Sequence, residues 1–126
     1  MIGYVTLGTN DLDRAAAFYD AIAEVLGHGR LATSDRMVMW GTPGAGAMLC
    51  AIKPYDEKQA TAGNGAMVGF TADNEEQVHK IYDHALANGG SDEGPPGPRG
   101  ETFYGAYFRD PEGNKLVVYK YTPAAT

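Results

Sequence analysis

The chain has 126 residues, of which 44% are hydrophobic and 21% charged, and its formal net charge is −6. This length and balance predict one compact domain, and the single cysteine excludes an internal disulfide framework. The ten Lys and Arg residues are scattered, which argues against a nucleic-acid partner. The acidic balance suits a cationic small molecule, or serves solubility alone. No apolar run matches a membrane helix and no signal-peptide pattern opens the chain, so we expect a cytoplasmic protein without a membrane partner.

The first half of the chain predicts one helix and several short strands. Asn10 or Asp11 caps the N-terminus of the helix, because a short polar side chain can accept a free backbone N–H there. The helix ends at Gly27, since glycine adopts the left-handed conformation at no steric cost. Its helically spaced apolar stripe consists of Ala15, Phe18, Tyr19, Ile22, Val25 and Leu26. The predicted strands are 3–8, a weaker one at 30–33, 36–40 and 47–53.

A polar stretch over 54–65 separates this half from a second one with the same plan. Asp73 or Asn74 caps the second helix, and Gly89 and Gly90 stop it. Its apolar stripe consists of Val78, Ile81, Tyr82, Ala85 and Leu86. The predicted strands are 66–72, 103–109 and 114–121, the last two joined by a type I turn at 110–113.

The connection from Gly89 to Gly100 is rich in Gly and Pro and predicts a long loop in place of a tight turn. A loop of this composition can act as a lid, with Arg99 available to an anionic group, or it can be a solvated connection without a role.

The two halves repeat one another. Tyr4-Val5-Thr6-Leu7 falls on Met67-Val68-Gly69-Phe70, and Met48-Leu49-Cys50 falls on Leu116-Val117-Val118. Each half is predicted as β-α-β-β, with room for one more strand, and neither can bury both faces of its sheet alone. The repeat therefore predicts two modules with a concave ligand surface between them. The first module is predicted over 2–56, the linker over 57–65 and the second module over 66–122.

Two motifs resemble the vicinal oxygen chelate superfamily, which includes glyoxalase I, extradiol dioxygenases and bleomycin resistance proteins. They are Thr9-Asn10-Asp11-Leu12-Asp13-Arg14-Ala15 running into Phe18-Tyr19, and Phe108-Arg109-Asp110-Pro111-Glu112-Gly113-Asn114. The resemblance covers residues 2–121. It implies an α+β fold in which two tandem βαβββ modules form a curved mixed sheet around a cavity, with the helices on the outer face, and a homodimer. Such a fold does not by itself fix the function.

The resemblance also implies where catalytic members would hold a divalent metal, with His, Glu or Gln on the first and a late strand of each module. The matching positions are Tyr4, Leu49, Met67 and Val117. Hydrocarbon side chains have no donor atom, and thioether sulfur is too soft for hard cations. His79 and His84 are five residues apart, which separates them on a helix, and Cys50 is expected to face the helix as a small hydrophobe. We therefore predict no metal and no other cofactor, with a divalent metal as the alternative.

Strand alternation predicts which side chains line the cavity. If Tyr4 and Val117 point inward, so do Thr6, Ala51, Gly69 and Tyr119, while Val5, Leu7, Val68 and Phe70 pack under the helices. The predicted ligand-binding residues are Tyr4, Thr6, Trp40, Met67, Arg99, Tyr104, Tyr107 and Tyr119. An aromatic lining with a few hydroxyls suits a planar, partly apolar ligand. Alternatively, the aromatic side chains fill a core or a dimer seam.

These patterns predict a metal-independent, glyoxalase- and bleomycin-resistance-like protein that binds a small, partly apolar molecule. One alternative is a metal-dependent lyase or dioxygenase of the glyoxalase I type, which needs a Lewis acid. Another is a dimeric scaffold without a ligand. No catalytic residue is assigned, and two arrangements remain open, with the modules paired within one chain or exchanged between subunits.

Overall fold

The computed structural model describes residues 1–124, within which the chain forms two helices and eight strands. The predicted domain extends to residue 126, so its last two residues lie outside the described part. The elements are β1 Tyr4–Gly8, α1 Leu12–Val25, β2 Arg30–Thr33, β3 Met37–Trp40, β4 Met48–Ile52, β5 Val68–Thr71, α2 Glu75–Ala87, β6 Ser91–Pro98, β7 Phe103–Arg109 and β8 Lys115–Tyr121. No helix in the described chain is both long and apolar enough to span a bilayer.

Each module builds one four-stranded mixed sheet. The strand order is β1-β4-β3-β2 in the first sheet and β5-β8-β7-β6 in the second. The opening strand of each module pairs in parallel with its last strand, and the other pairs are antiparallel. The repeat predicted from the sequence is therefore confirmed as two βαβββ modules of an α+β fold, and the weak strand over 30–33 is β2.

The predicted loop between Gly89 and Gly100 is wrong, because most of it is strand β6, which pairs with β7. Proline lacks the N–H that a central strand needs, but an edge strand and a bulge both tolerate it. β6 lies at the edge of its sheet, and its pairing shifts register on both sides of Gly94. The proline-rich composition is thus that of an edge strand. This segment forms no lid.

Both helices begin and end with the predicted chemistry. The Asp11 carboxylate accepts from the Arg14 N–H at 3.1 Å, and the Asn74 side chain accepts from the Gln77 N–H at 2.9 Å. These bonds satisfy backbone donors that the first turn of a helix leaves free. After each helix a glycine adopts the left-handed backbone conformation that ends it, at φ +83° for Gly27 and +93° for Gly89.

One hydrophobic core joins the two modules. It contains Phe18, Tyr19, Ile22, Val38, Trp40, Ala51, Val78, Ile81, Ala106, Phe108, Leu116 and Val118, among others. The two helices contact each other, α1 packs on the first sheet and α2 on the second. Each sheet therefore has one face turned toward the helices. We call the opposite face of each sheet its open face.

Candidate functional site

The open face of the first sheet is rich in sulfur. Cross-strand pairing places on it Tyr4, Thr6, Met37, Met39, Met48 and Cys50. Tyr4 is 60% exposed and Thr6 is exposed, whereas Cys50 is buried, with its Sγ 3.9 Å from the Met37 Sδ. Burial raises the pKa of the Cys50 thiol, so it remains protonated at neutral pH. This face combines one phenol and one hydroxyl with an adaptable thioether surface.

The expected orientation of β4 is wrong by one residue. Ala51 was predicted to line the cavity, but it pairs with Leu7 and is 1% exposed in the core. Cys50 was predicted to face the helix, but it pairs with Thr6 on the open face. Because side chains alternate along a strand, a shift of one position moves every residue of β4 to the other face. Leu49, which pairs with Val5, also lies on the helix side.

The open face of the second sheet is aromatic. It carries Gly69, Thr71, Phe103, Tyr107, Val117 and Tyr119. The rings of Phe103 and Tyr119 stack at 5.0 Å between centroids, and the Thr71 hydroxyl donates to the Tyr119 hydroxyl oxygen at 3.2 Å. A Cβ at Gly69 would lie 3.3 Å from the side chains of both Tyr119 and Val117, so these side chains lean over β5. This face offers a stacking surface with hydroxyl groups at its edge.

Two cations approach the ring of Tyr107 on this face. The Arg99 guanidinium carbon lies 5.7 Å from the ring centroid, and the Lys115 ammonium nitrogen lies 5.9 Å from it. Arg99, a predicted ligand-binding residue, thus lies beside the aromatic face, directly after strand β6 and not in a lid. Lys115 was missed, and its place two residues before Val117 on the same strand is the signal that points to it.

Two predicted ligand-binding residues belong to the helix side. Trp40 is 3% exposed and its indole N–H donates to the Asp20 carboxylate at 2.7 Å. The Tyr104 hydroxyl lies 2.7 Å from the His79 Nε2 on α2. Aromatic side chains such as these also occur in binding surfaces, but here both rings pack between a sheet and a helix. The prediction that Trp40 and Tyr104 line the open-face cavity is therefore incorrect.

Met67 lies one residue before β5 and is 48% exposed. It borders a cleft of about 480 Å³ formed by residues 62–66, Arg109 and Lys115. A second cleft, of about 350 Å³, lies on the helix side between α1, the β3–β4 turn and β5. Its walls include Leu26, Trp40 and Phe70.

The two open faces are separate surfaces of one chain. β1 and β5 are the opening strands of the two modules, and each lies at an edge of its sheet. Within residues 1–124 they form no ladder with each other. None of the clefts described here combines Tyr4 or Thr6 with Tyr107 or Tyr119. We call these two open faces the two half-sites.

The β7–β8 turn fastens one module to the other through a buried carboxylate. Asp110, 5% exposed, accepts from the Tyr19 hydroxyl at 2.5 Å and from the Glu112 and Asn114 backbone N–H groups at 2.9 Å. The Asn114 side-chain amide donates both to Asp110 at 2.9 Å and to the Gly8 carbonyl at 3.0 Å. A helix and a strand end of the first module are thus held by a turn of the second.

Glu112 completes this clasp at the surface. One carboxylate oxygen accepts from the Thr9 hydroxyl, the Asn10 backbone N–H and the Arg14 guanidinium at 2.8 to 3.1 Å. Partial burial alone would raise the pKa of Glu112, but these hydrogen bonds and the positive charge of Arg14 leave it below its usual value. The clasp joins the two sequence motifs that carried the family resemblance, and its role is to fix the relative position of the modules.

Replacing Tyr19 by phenylalanine should change how stability responds to alkaline pH. Burial, and then the Asp110 charge, raise the pKa of Tyr19 well above its ordinary value. Below about pH 10 both states keep the proton; above it only the unfolded chain releases it, so the free energy of unfolding falls by about 1.4 kcal/mol per pH unit.

The measurement is urea unfolding of both proteins at about pH 9 and about pH 11. We expect the stability advantage of the parent over the Tyr19→Phe variant to shrink at the higher pH. Parallel stability curves for the two proteins would contradict a buried, protonated Tyr19.

Comparison with known proteins agrees with this architecture. The model of the Glyoxalase/Bleomycin resistance protein/Dioxygenase superfamily matches residues 1–118. A glyoxalase/bleomycin resistance protein from Albidiferax ferrireducens T118 is 35% identical, with a TM-score of 0.89 over 97% of this chain and 99% of that chain. The chain belongs to the glyoxalase/bleomycin resistance protein/dioxygenase superfamily.

More distant family structures share the fold. A glyoxalase/bleomycin resistance protein/dioxygenase family enzyme from Burkholderia phytofirmans PsJN is 21% identical, with a TM-score of 0.75 over 95% of this chain and 98% of that chain. A glyoxalase-related enzyme from Fulvimarina pelagi is 19% identical, with a TM-score of 0.75 over 99% of both chains. No curated protein matches the sequence.

The strand register corrects one of the metal-ligand positions that the family resemblance implies. Thr6 pairs with Cys50 in the first module, and its repeat partner Gly69 pairs with Val117 in the second. The counterpart of Val117 is therefore Cys50, and the predicted Leu49 faces the helix side.

The corrected donor set does not fit the divalent metal of a glyoxalase-type site. Val117 has no donor atom, Met67 offers a thioether, and Cys50 keeps its proton because it is buried. Tyr4 alone supplies an oxygen, whereas hard divalent cations require several oxygen or nitrogen ligands. Within residues 1–124, no three His, Cys, Asp or Glu side chains converge where they could share an ion.

Proposed function

We propose that this superfamily member is a metal-independent protein that binds a small, partly apolar molecule, and that its pocket forms in a homodimer. In this arrangement the open face of the first sheet from one copy opposes the open face of the second sheet from the other. The observation that carries the proposal is the donor set at the family's metal positions, in which one phenol, one buried thiol, one thioether and one hydrocarbon side chain stand in place of several hard ligands.

The exposed apolar residues support a pocket shared between two copies. Tyr4, Met67 and Tyr121 are 60%, 48% and 53% exposed, and all three lie on the strands of the open faces or beside them. Exposed apolar side chains on a sheet face are typical of an interaction site. A two-fold arrangement would use both open faces of each chain and would give two identical pockets per dimer.

The two half-sites have complementary chemistry for a planar ligand. The thioethers of Met37, Met39 and Met48 form a polarizable wall that adapts to shape, and the stacked rings of Phe103 and Tyr119 form a rigid one. The hydroxyls of the aromatic and threonine side chains can orient a few polar atoms of the ligand.

Metal analysis tests the absence of an inorganic centre. Protein purified without chelator is analysed by mass spectrometry for bound metal and small molecules, and its melting temperature is measured with Ni²⁺, Zn²⁺, Mn²⁺ and Fe²⁺. We expect substoichiometric metal and no stabilisation, because a ligand stabilises only a fold that binds it. Stoichiometric metal with a raised melting temperature would replace this proposal by the metal-dependent lyase or dioxygenase.

A mixing experiment tests the shared pocket. The variants Thr6→Arg and Thr71→Arg each place a bulky charge on one open face at an exposed position. Each variant alone should lose binding of a neutral planar probe, 2-naphthamide. In a mixed dimer, one pocket contains both substitutions and the other contains neither, so mixing after unfolding and refolding should restore binding.

Failure of the mixture to bind, while each variant remains a folded dimer by light scattering, would contradict a pocket made from two chains. A monomer at all concentrations would do the same. If the parent itself does not bind 2-naphthamide or co-purify with a small molecule, the dimeric scaffold without a ligand becomes the better account.

A further inference from the structure

We infer that the ligand of the proposed pocket is an organic anion, whose carboxylate or phosphate group is held by Arg99 and Lys115 beside the ring of Tyr107. This inference rests on the proposed function, and it names the charge of the ligand that the aromatic half-site would select. It goes against the overall charge of the chain, which is −6 and by itself favours cations.

Arg99 has a seat built from the backbone of β6. Its guanidinium donates to the Pro95 carbonyl at 2.8 Å and to the Gly97 carbonyl at 3.0 Å. A Cβ at Gly94 or at Gly97 would come within 3.2 Å of the guanidinium nitrogens, so the glycines leave the space that this side chain occupies. The bulged, glycine-containing edge strand thereby fixes a long cationic side chain, which lowers the entropy cost of using it in binding.

Neither cation beside Tyr107 has a carboxylate partner. Within residues 1–124 the ion pairs are Arg14–Glu112, Arg30–Asp20 and Arg109–Glu93, and none includes Arg99 or Lys115. Glu93, which lies within the electrostatic influence of Lys115, is engaged by Arg109 at 2.6 Å. The hydrogen bond from Arg109 and its charge, followed by the weaker field of Lys115, hold the pKa of Glu93 below its usual value. Two positive charges on this open face therefore remain for a ligand.

The neighbouring surface suits the remainder of such a ligand. Tyr107 on β7 pairs with Val117 on β8. Tyr119 lies two residues after Val117 on the same face of β8, and its ring stacks on that of Phe103. The stacked rings of Phe103 and Tyr119 suit the planar apolar body of such a ligand, and Tyr107, with its two cations, lies on the same open face. Guanidinium binds carboxylate and phosphate through paired hydrogen bonds, which gives orientation as well as charge recognition.

The experiment compares three probes of one shape and different charge: 2-naphthoate, 2-naphthamide and 2-naphthylmethylammonium. Dissociation constants are measured by calorimetry on the full-length protein. We expect the carboxylate to bind about tenfold more tightly than the amide, as one charge-assisted hydrogen bond provides. We expect the ammonium probe to bind most weakly, and the preference for the anion to fall with added salt.

The variants Arg99→Gln and Lys115→Gln should each remove most of the preference for 2-naphthoate over 2-naphthamide. The matched control is Arg36→Gln. Arg36 also lies over a tyrosine ring, 5.6 Å from the centroid of Tyr55, and also donates to a backbone carbonyl, that of Lys53. These contacts lie in the first module and do not involve Tyr107. Circular dichroism checks that each variant is folded.

Each outcome separates this inference from the proposed function. Equal binding of the carboxylate and the amide, or a preference that survives both substitutions, overturns the inference and leaves a small-molecule pocket in place. Absence of binding by all three probes overturns both. Loss of the preference in the Arg36→Gln control would show a general charge effect and would also overturn the inference.

Discussion

Replacing Asp110 by alanine should lower the free energy of unfolding by about 4 kcal/mol, because four donors lose a buried carboxyl acceptor. The donors belong to Tyr19, Glu112 and Asn114, and the carboxylate that they share is 5% exposed. Water cannot easily replace it, since Tyr19 is itself only 1% exposed. The measurement is urea unfolding monitored by circular dichroism at neutral pH.

Two controls separate the clasp from a general effect of removing a charge. Tyr19→Phe removes one of the four hydrogen bonds and should cost about 1.5 kcal/mol. Asp83→Asn alters an exposed carboxylate on α2 and should stay within about 0.5 kcal/mol of the parent. If Asp110→Ala costs no more than Tyr19→Phe, the turn is not the fastening between the modules.

The clasp also explains why the resemblance was informative about the fold and not about the chemistry. Asn10 and Glu112 belong to the two motifs recognised in the sequence, and in the structure they bond to each other across the modules. Their chemistry is structural, since neither lies on an open face. The motifs therefore predict that two modules will be joined, and they carry no information about a metal or a ligand.

Apart from β6, the order of the elements followed from the sequence because local signals specify it. Caps, helix-ending glycines and apolar periodicity act within a few residues, and α1 and α2 begin as these signals indicate. The orientation of β4 could not be obtained in this way. Met48 to Ile52 are all apolar, so alternation does not distinguish the faces, and the pairing of Thr6 with Cys50 decides it.

The candidate site was predicted in part for a related reason. Tyr119 was identified by strand alternation and Tyr107 as an aromatic candidate for the wall, and the structure places both on one open face. Trp40 and Tyr104 have the same aromatic character, but their polar atoms find partners on the helix side, at Asp20 and His79. An aromatic side chain with a polar atom fits either environment, and only the tertiary partner determines which one it takes.

Replacing Gly90 by alanine should destabilise the protein by about 4 kcal/mol, although the sequence shows only a second glycine after a helix. The two glycines there do different work. Gly89 has the left-handed backbone, whereas Gly90 does not and instead stands in a close approach of three chain segments. A Cβ at Gly90 would lie 2.5 Å from the Arg109 carbonyl oxygen and 2.7 Å from that of Ala85.

Those two oxygens belong to the end of β7 and the last turn of α2, so relieving the contact would move either the strand that leads into the clasp or the helix packed on it. Gly29→Ala is the matched control, because Gly29 also follows a helix, also lies outside the left-handed region and has no atom within 4 Å of its added Cβ. It should change stability by less than about 1 kcal/mol in urea unfolding. Equal effects of the two substitutions would mean that lost backbone freedom, and not the contact with Arg109 and Ala85, determines the cost at Gly90.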